Sequence, residues 1–155
     1  MPTPLEAIAG VANAAEPVPG ILASGQPTAA HFEALRAAGL ELVLDIRDPM
    51  EPRPFDEAAV VTGLGMEYQN IPVTAGTLDD ATLERVLAVV RSRGTRPMLF
   101  HCASGNRVGG PMIAHLMLDR NVAEDDAIET AMRHGLRGAD ILQWGLEYVG
   151  RHRAD

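Results

Sequence analysis

Apolar and polar positions follow two different spacings along the chain, and together these spacings predict an α/β fold. The run Leu40–Ile46 is almost wholly apolar, as expected for a strand that is covered on both faces of a parallel sheet. Between Asp79 and Gly94, apolar residues recur at the i, i+3, i+4, i+7 spacing of an amphipathic helix. These residues are Leu83, Val86, Leu87 and Val90.

The remaining segments complete an alternation of strands and helices. Short strands are predicted at 20–25, 66–73 and 97–100, and helices at 28–39, 55–62, 111–120, 123–134 and 139–152. This order predicts a three-layer α/β domain with a mainly parallel central sheet flanked by helices. Residues 1–19 are rich in Ala and Pro and weakly patterned, so we expect a partly extended N-terminal segment before a domain at 20–155.

Composition and charge narrow the classes of partner. The chain has 155 residues and a net charge of −8, which argues against nucleic acid and anionic membranes as partners. The first residues lack the pattern of a secretory signal, so we expect none, and no stretch approaches the ~20 apolar residues that span a bilayer. A single cysteine suits a reducing compartment. We therefore expect a cytoplasmic protein, and the sequence leaves its oligomeric state open.

The candidate chemistry lies in the segment His-Cys-Ala-Ser-Gly-Asn-Arg at 101–107, directly after a predicted strand. A loop between a strand and a helix can direct several backbone N–H groups inward and bind an anion. Gly105 permits the left-handed backbone that such a loop needs. The guanidinium of Arg107 matches two oxygens of a phosphate. The predicted phosphate-binding residues are Ala103, Ser104, Gly105, Asn106 and Arg107.

The same groups would stabilise negative charge on the sulfur of Cys102, and a thiolate facing a bound phosphoryl group is a nucleophile. A cysteine at a strand end is more often a small buried hydrophobe, and an arginine more often a surface residue. The joint pattern nevertheless favours catalysis. The five histidines show no metal-ligand spacing, so we expect His101 to orient the loop and expect neither a metal nor a cofactor.

Several segments carry a family resemblance. They are Ala23–Thr28, Ala38–Gly39, Gly65–Tyr68, Ile71–Val73, His101–Arg107, Ala114–Met117 and Leu142–Tyr148. In these segments the chain resembles the cysteine-based dual-specificity phosphatases, and within them the bacterial beta-lactamase-hydrolase-like phosphatases. The resemblance implies a protein tyrosine phosphatase-like fold. It also implies hydrolysis of a phosphomonoester, from a phosphoprotein or a small aryl phosphate, through a phosphocysteine intermediate.

Two departures from the family pattern keep other interpretations open. The family places five residues between Cys and Arg, whereas this chain has four, and the usual hydroxyl residue after the Arg is Val108. The shorter loop is similar to that of the rhodanese-type sulfurtransferases. If the chain were such an enzyme, Cys102 would carry a persulfide. A catalytically weak phosphate-binding module is the third interpretation. The segments that flank the loop favour the phosphatase.

The proton donor for the leaving group is the hardest residue to assign. The family implies an Asp on a loop upstream of the cysteine, but the turn at 74–77 contains no carboxylate. Asp79 and Asp80 are the nearest candidates, and Asp48 ranks third. As residues at a helix N-terminus, Asp79 and Asp80 are equally well explained by capping and by interaction with the helix dipole.

Overall fold

A computed structural model describes residues 2–153 and places a five-stranded sheet at their centre. The strands are β1 (Ala15–Val18), β2 (Ile21–Ser24), β3 (Leu42–Asp45), β4 (Glu67–Asn70) and β5 (Met98–His101). They are arranged in the order β1-β2-β5-β3-β4, and only the β1–β2 pair among them is antiparallel. The predicted mainly parallel sheet is therefore confirmed.

The helices surround this sheet on two sides. They are α1 (Pro4–Ala7), α2 (Ala29–Ala37), α3 (Glu57–Gly63), α4 (Asp80–Ser92), α5 (Gly109–Asp119), α6 (Glu124–Arg133) and α7 (Ala139–His152), with a 3₁₀ turn at Ala75–Thr77. Side-chain caps define the starts of α1 to α4: for example, Thr28 accepts from the amide of His31 in α2, and Asp79 accepts from the amide of Thr82 in α4. Among residues 2–153, no helix combines the length and apolar character needed to cross a membrane.

The strand side chains alternate between two hydrophobic cores, which produces the three layers. Leu42 and Leu44 of β3 pack into the core shared with α4–α7, whereas Val43 packs with α2 and α3. All three side chains are fully buried, so β3 is covered on both faces. The apolar run at 40–46 therefore reflects burial of the strand on both faces, as predicted.

The N-terminal segment is more structured than the partly extended chain that the sequence predicts. Residues 4–7 form α1, and β1 adds an antiparallel strand at the edge of the sheet. Ile8 and Val11 are buried in the core of α2 and α3. Because burial of such side chains removes apolar surface from water, it holds the segment against the domain.

The sheet topology fixes where the candidate loop emerges. The central strand β5 lies between β2 and β3, and His101 at its carboxyl end is in register with Ser24 and Asp45. Ligands of open α/β sheets bind at this edge, beyond the carboxyl ends of the parallel strands. The segment 101–107 therefore lies where a ligand site is expected.

Candidate active site

The loop that follows β5 curls around the sulfur of Cys102. Cys102 is fully buried, and its amide donates to the carbonyl of Ser24 at 3.3 Å. The amide of Gly105 donates to Sγ of Cys102 at 3.1 Å. Gly105 has a φ of +93°, the left-handed conformation that the sequence analysis expected of it. Helix α5 begins only two residues after Arg107, so the loop leads directly into a helix N-terminus.

Most of the loop amides have no acceptor of their own. Within residues 2–153, the backbone N–H groups of Ala103, Ser104, Asn106 and Arg107 donate no hydrogen bond. A loop amide without a protein acceptor is available to an anion, and a series of them is the usual composition of an anion nest. The loop thus has the donors that a phosphate group requires.

The loop carbonyls are held from outside. Ala103 accepts from the amide of Gln26 at 3.0 Å, and Ser104 accepts from the side-chain amide of Asn13 at 2.7 Å. A Cβ on Gly25 would lie 2.7 Å from the Ala103 oxygen, so this close approach requires glycine there. The Gly25–Gln26 pair and Asn13 therefore fix the outer side of the loop.

The turn between α6 and α7 supports the loop from the other direction. A Cβ on Gly135 would lie 2.7 Å from the Ser104 oxygen, and one on Gly105 would lie 2.1 Å from the His134 oxygen. Neither nitrogen of the buried His134 ring has a hydrogen-bond partner within residues 2–153, and burial lowers the pKa of His134 to about 4. His134 is therefore a neutral packing residue at pH 7.

Arg107 is hydrogen-bonded to Glu51, a residue that was not predicted from the sequence. Glu51 accepts from Nη1 and Nη2 of Arg107 at 2.6 and 2.8 Å, and Nη1 also donates to the carbonyl of Val73 at 3.3 Å. The hydrogen bond from Arg107 lowers the pKa of Glu51 to about 2, and that pair in turn raises the pKa of Arg107. The Cys102 sulfur contributes to the same rise, which is consistent with the guanidinium lying near the thiol.

His101 is fully buried and bonded through both ring nitrogens. Its Nε2 lies 2.6 Å from a carboxylate oxygen of Glu57, and its Nδ1 lies 3.2 Å from the carbonyl of Cys102. Burial alone lowers the pKa of His101, but the hydrogen bond and charge of Glu57 and the charge of Asp45 outweigh it, so the pKa is raised. The ring thus links the loop backbone to two buried carboxylates.

Those carboxylates also have other partners. Nη1 of Arg53 lies 2.6 Å from Oδ2 of Asp45. The hydroxyl of Tyr68 donates to the same oxygen at 2.7 Å. Ligand atoms of Asp45, Glu57 and His101 lie within 4.8 Å of one another, close enough for a shared cation. Because Arg53 already supplies a positive charge at this position, we assign no metal to the cluster.

The two predicted proton donors make contacts away from Arg107. Asp79 accepts from the amide of Thr82 at 2.8 Å, and Asp80 accepts two hydrogen bonds from Arg151 at 2.7 and 2.9 Å. Thr82 lowers the pKa of Asp79, and Arg151 lowers that of Asp80. The third candidate, Asp48, accepts from the amide of Met50 within its own loop.

A cavity of about 250 Å³ opens beside Arg107. Its walls include Asn106 and Arg107 from the loop, Thr74 and Leu78 from the turn after β4, and Asp140 and Ile141 from the first turn of α7. Asp79 and Asp80 do not line it, whereas Asp140 does. No sequence motif connects Asp140 with the segment 101–107, so its place at this cavity was not predicted.

Known proteins share both the sequence pattern and the fold. The family model described as a DSP-PTPase phosphatase fused to NAD+ kinase matches residues 14–143. The beta-lactamase hydrolase-like protein of Agrobacterium fabrum is 26% identical over 125 residues, which make up 78% of this chain and 29% of that protein. The chain therefore spans less than a third of the length of this relative.

Solved structures show the same fold at low sequence identity. A candidate phosphatase of Shewanella putrefaciens CN-32 is 22% identical with a TM-score of 0.81, and the match covers 96% of this chain and 98% of that one. TpbA of P. aeruginosa is 21% identical with a TM-score of 0.70, over 93% and 86% of the two chains. The catalytic core of SIW14, a PP-IP phosphatase from S. cerevisiae, is 18% identical with a TM-score of 0.74, over 88% and 86%.

These comparisons confirm the protein tyrosine phosphatase-like fold and the resemblance to cysteine-based dual-specificity phosphatases. The family model covers most of the chain, from the end of the N-terminal turn to the middle of α7. It includes every residue placed here around Cys102 except Asn13. The chain belongs to the DSP-PTPase phosphatase family, in the group whose model is described as fused to NAD+ kinase.

Proposed function

We propose that this chain hydrolyses phosphomonoesters in two steps, with Cys102 as the nucleophile and without a metal or an organic cofactor. The observation that carries the proposal is the loop itself. One loop amide donates to the Cys102 sulfur, and the amides of Ala103, Ser104, Asn106 and Arg107 donate to no acceptor within residues 2–153. Such an arrangement stabilises both a thiolate and the phosphoryl oxygens beside it.

In the first step, the thiolate of Cys102 forms a bond to phosphorus while the bond from phosphorus to the leaving oxygen breaks. The loop amides and Arg107 hold the three equatorial oxygens, whose charge is greatest in the transition state. In the second step, a water oxygen forms a bond to phosphorus and the sulfur leaves. The Gly105 amide, 3.1 Å from Sγ, stabilises that departing thiolate, although Val108 stands where the family has a hydroxyl.

The cavity bears on the class of substrate. The cavity has a volume of about 250 Å³ and Arg107 as its single cationic lining side chain, which supports a substrate that carries one phosphoryl group. A TpbA structure holds phosphotyrosine, which supports an aryl phosphate or phosphotyrosine as substrate for this chain. The net charge of −8 supports substrates other than nucleic acids, and the single cysteine, which is a free thiol, suits the cytoplasm.

The positioning roles follow from the contacts of the loop. We propose that Glu51 orients Arg107 and that His101, bonded to the carbonyl of Cys102, orients the start of the loop. The assignment of Asp79 or Asp80 as proton donor stays a prediction. Both would have to exchange their present contacts with Thr82 and Arg151 for contact with the leaving oxygen.

Sulfurtransferase chemistry is the rival that the four-residue spacing between Cys102 and Arg107 favours. A paired assay separates the two activities: phosphate release from p-nitrophenyl phosphate, and thiocyanate formation from thiosulfate and cyanide. We expect phosphate release that is abolished in Cys102→Ser and mostly lost in Arg107→Lys, because an ammonium cannot form the bidentate fork. Thiocyanate formation without phosphate release, or full phosphate release by Cys102→Ser, would contradict the proposal.

A further inference from the structure

We infer that Asp140, in the first turn of α7, donates the proton to the leaving oxygen. This inference rests on the proposed phosphatase activity and deepens it. Among the residues that the structure describes, Asp140 is the one carboxylate that lines the cavity beside Arg107. Its side chain makes no ion pair with any residue from 2 to 153.

The phosphate loop itself positions the start of α7. The side-chain oxygen of Asn106 accepts from the amides of Arg137 and Gly138 at 2.8 and 2.9 Å. This pair of hydrogen bonds fastens the turn before α7 to the residue next to Arg107. A Cβ on Gly138 would lie 2.6 Å from Oδ1 of Asp140, so glycine is needed for the carboxylate to occupy its present place. Asp140 is thus held at the cavity by local contacts.

One oxygen of Asp140 is used and the other is available. Oδ1 accepts from the amide of Ile141 at 2.9 Å, whereas Oδ2 makes no hydrogen bond within residues 2–153. A proton donor needs an oxygen that can carry the proton and reach the substrate. Oδ2 meets the first condition, and Asp140 meets the second for a leaving group that occupies the cavity beside Arg107.

The other acidic residues near the loop are poorly suited to this role. Glu51 has a pKa lowered to about 2 by Arg107 and therefore stays a carboxylate at neutral pH. Asp79 and Asp80 have lowered pKa values because of Thr82 and Arg151, and neither lines the cavity. Of these residues and Asp140, Asp140 is the one that lines the cavity beside Arg107.

The proton balance of the two steps is complete with Asp140. When the S–P bond forms and the P–O bond breaks, the carboxyl proton passes to the leaving alkoxide or phenoxide. When water attacks the phosphocysteine, its proton passes to the Asp140 carboxylate, the P–S bond breaks and the thiolate is restored. The carboxyl group is then protonated for the next turnover, so no further acid or base is required.

The test compares leaving groups. We measure kcat/KM of Asp140→Asn with p-nitrophenyl phosphate, a good leaving group that needs little protonation, and with phenyl phosphate, a poor one. We expect a loss of ~10²-fold or more with phenyl phosphate and a much smaller loss with p-nitrophenyl phosphate, in line with the usual contribution of a general acid. Asp140→Glu should recover part of the lost activity with phenyl phosphate.

Asp125→Asn is the matched control. Asp125 occupies the second position of α6, as Asp140 does in α7, and it is exposed and absent from the cavity wall. It should lower neither rate. Because Asp140 is exposed and asparagine can still accept from the Ile141 amide, the Asp140→Asn variant should fold, which circular dichroism will verify.

Two results would overturn the inference while the proposed function stands. One is an equal, small effect of Asp140→Asn on both substrates. The other is a selective loss with phenyl phosphate in Asp79→Asn or Asp80→Asn and not in Asp140→Asn. If instead the wild-type chain releases phosphate from neither ester, or Cys102→Ser retains its activity, the proposed function fails, and the inference about Asp140 fails with it.

Discussion

Glu51 holds Arg107 through both carboxylate oxygens, across 56 residues of sequence, with N–O distances of 2.6 and 2.8 Å. The Val73 carbonyl takes the second hydrogen of Nη1. A guanidinium has five donors, so Nε and one hydrogen of Nη2 remain for a phosphate. The pair therefore fixes the plane of the arginine without occupying the edge that a phosphoryl group would need.

We predict that Glu51→Gln lowers kcat/KM for p-nitrophenyl phosphate by ~10-fold or more, because a misplaced catalytic group loses much of its effect. Steady-state kinetics test this directly. Glu67→Gln is the control, since it removes a more exposed ion pair, to Arg96 at 3.0 Å, outside the cavity wall. Unchanged or higher activity in Glu51→Gln would mean that Glu51 competes with the substrate instead of orienting Arg107.

The same pair should make stability depend on pH in the acid range. The pKa of Glu51 is lowered from 4.5 to about 2 in the folded protein. A group with a lowered folded pKa stabilises the protein above its unfolded pKa, and this contribution is lost as the pH falls towards the folded value. We expect Glu51→Gln to lower the free energy of unfolding at pH 7 by on the order of 1 kcal/mol, a modest value for a partly exposed pair.

Urea unfolding of both proteins between pH 7 and pH 3 measures this dependence. The difference between wild type and Glu51→Gln should be constant down to about the unfolded pKa and then shrink as the pH falls further. A difference that stays constant to pH 3 would show that the pair does not depress the pKa of Glu51.

The close approach of the loop to the α6–α7 turn gives a prediction at Gly135. Gly135 has a φ of +115°, and a Cβ there would lie 2.7 Å from the Ser104 oxygen. Gly39 is the matched control, because it has a similar φ of +101° but nothing within 4 Å of its Cβ position. Gly39→Ala should lower the free energy of unfolding only by the backbone strain of about 1 kcal/mol.

Gly135→Ala should lower the free energy of unfolding, measured by thermal or urea unfolding, by more than Gly39→Ala does. It should also weaken competitive inhibition by vanadate. The added methyl group must displace the Ser104 carbonyl and with it the amides that we propose bind an oxyanion. Equal losses of stability in the two variants, with unchanged vanadate inhibition, would show that the loop tolerates the displacement.

The sequence predicted the part of the site that is local in the chain. Cys102, Gly105 and Arg107 lie within one loop, so their proximity could be predicted from a single segment of the chain. The periodicity of Leu83 to Val90 likewise predicted α4, since helical contacts repeat at short spacing. Such features depend on neighbours in sequence, and the structure retains them.

The missed features depend on contacts between distant residues. Glu51 lies in a proline-rich loop, Asn13 in a weakly patterned segment and Asp140 in an ordinary first helical turn. Nothing near each of them in the sequence points towards Cys102. The strand β1 was missed for a similar reason, because it has only four residues, contains Pro17 and is formed by pairing with β2 at the edge of the sheet.

Asn13 provides the last prediction, because its side chain and its backbone conformation have separable effects. Its Nδ2 donates to the Ser104 carbonyl at 2.7 Å, and its φ is +57°. Asn13→Gly removes the hydrogen bond but accepts the left-handed backbone, whereas Asn13→Ala removes the bond and adds strain of about 1 kcal/mol. Asn121, which follows α5 and has a φ of +56° without a hydrogen bond to the 101–107 loop within residues 2–153, is the matched control. Both Asn13 variants should raise the Ki for vanadate by a similar factor. At each of the two positions, the Ala variant should have a lower free energy of unfolding than the Gly variant, because only Ala is strained in the left-handed conformation. If Asn13→Gly binds vanadate like the wild type while Asn13→Ala does not, the backbone conformation alone positions the loop, and the hydrogen bond to Ser104 has no part in oxyanion binding.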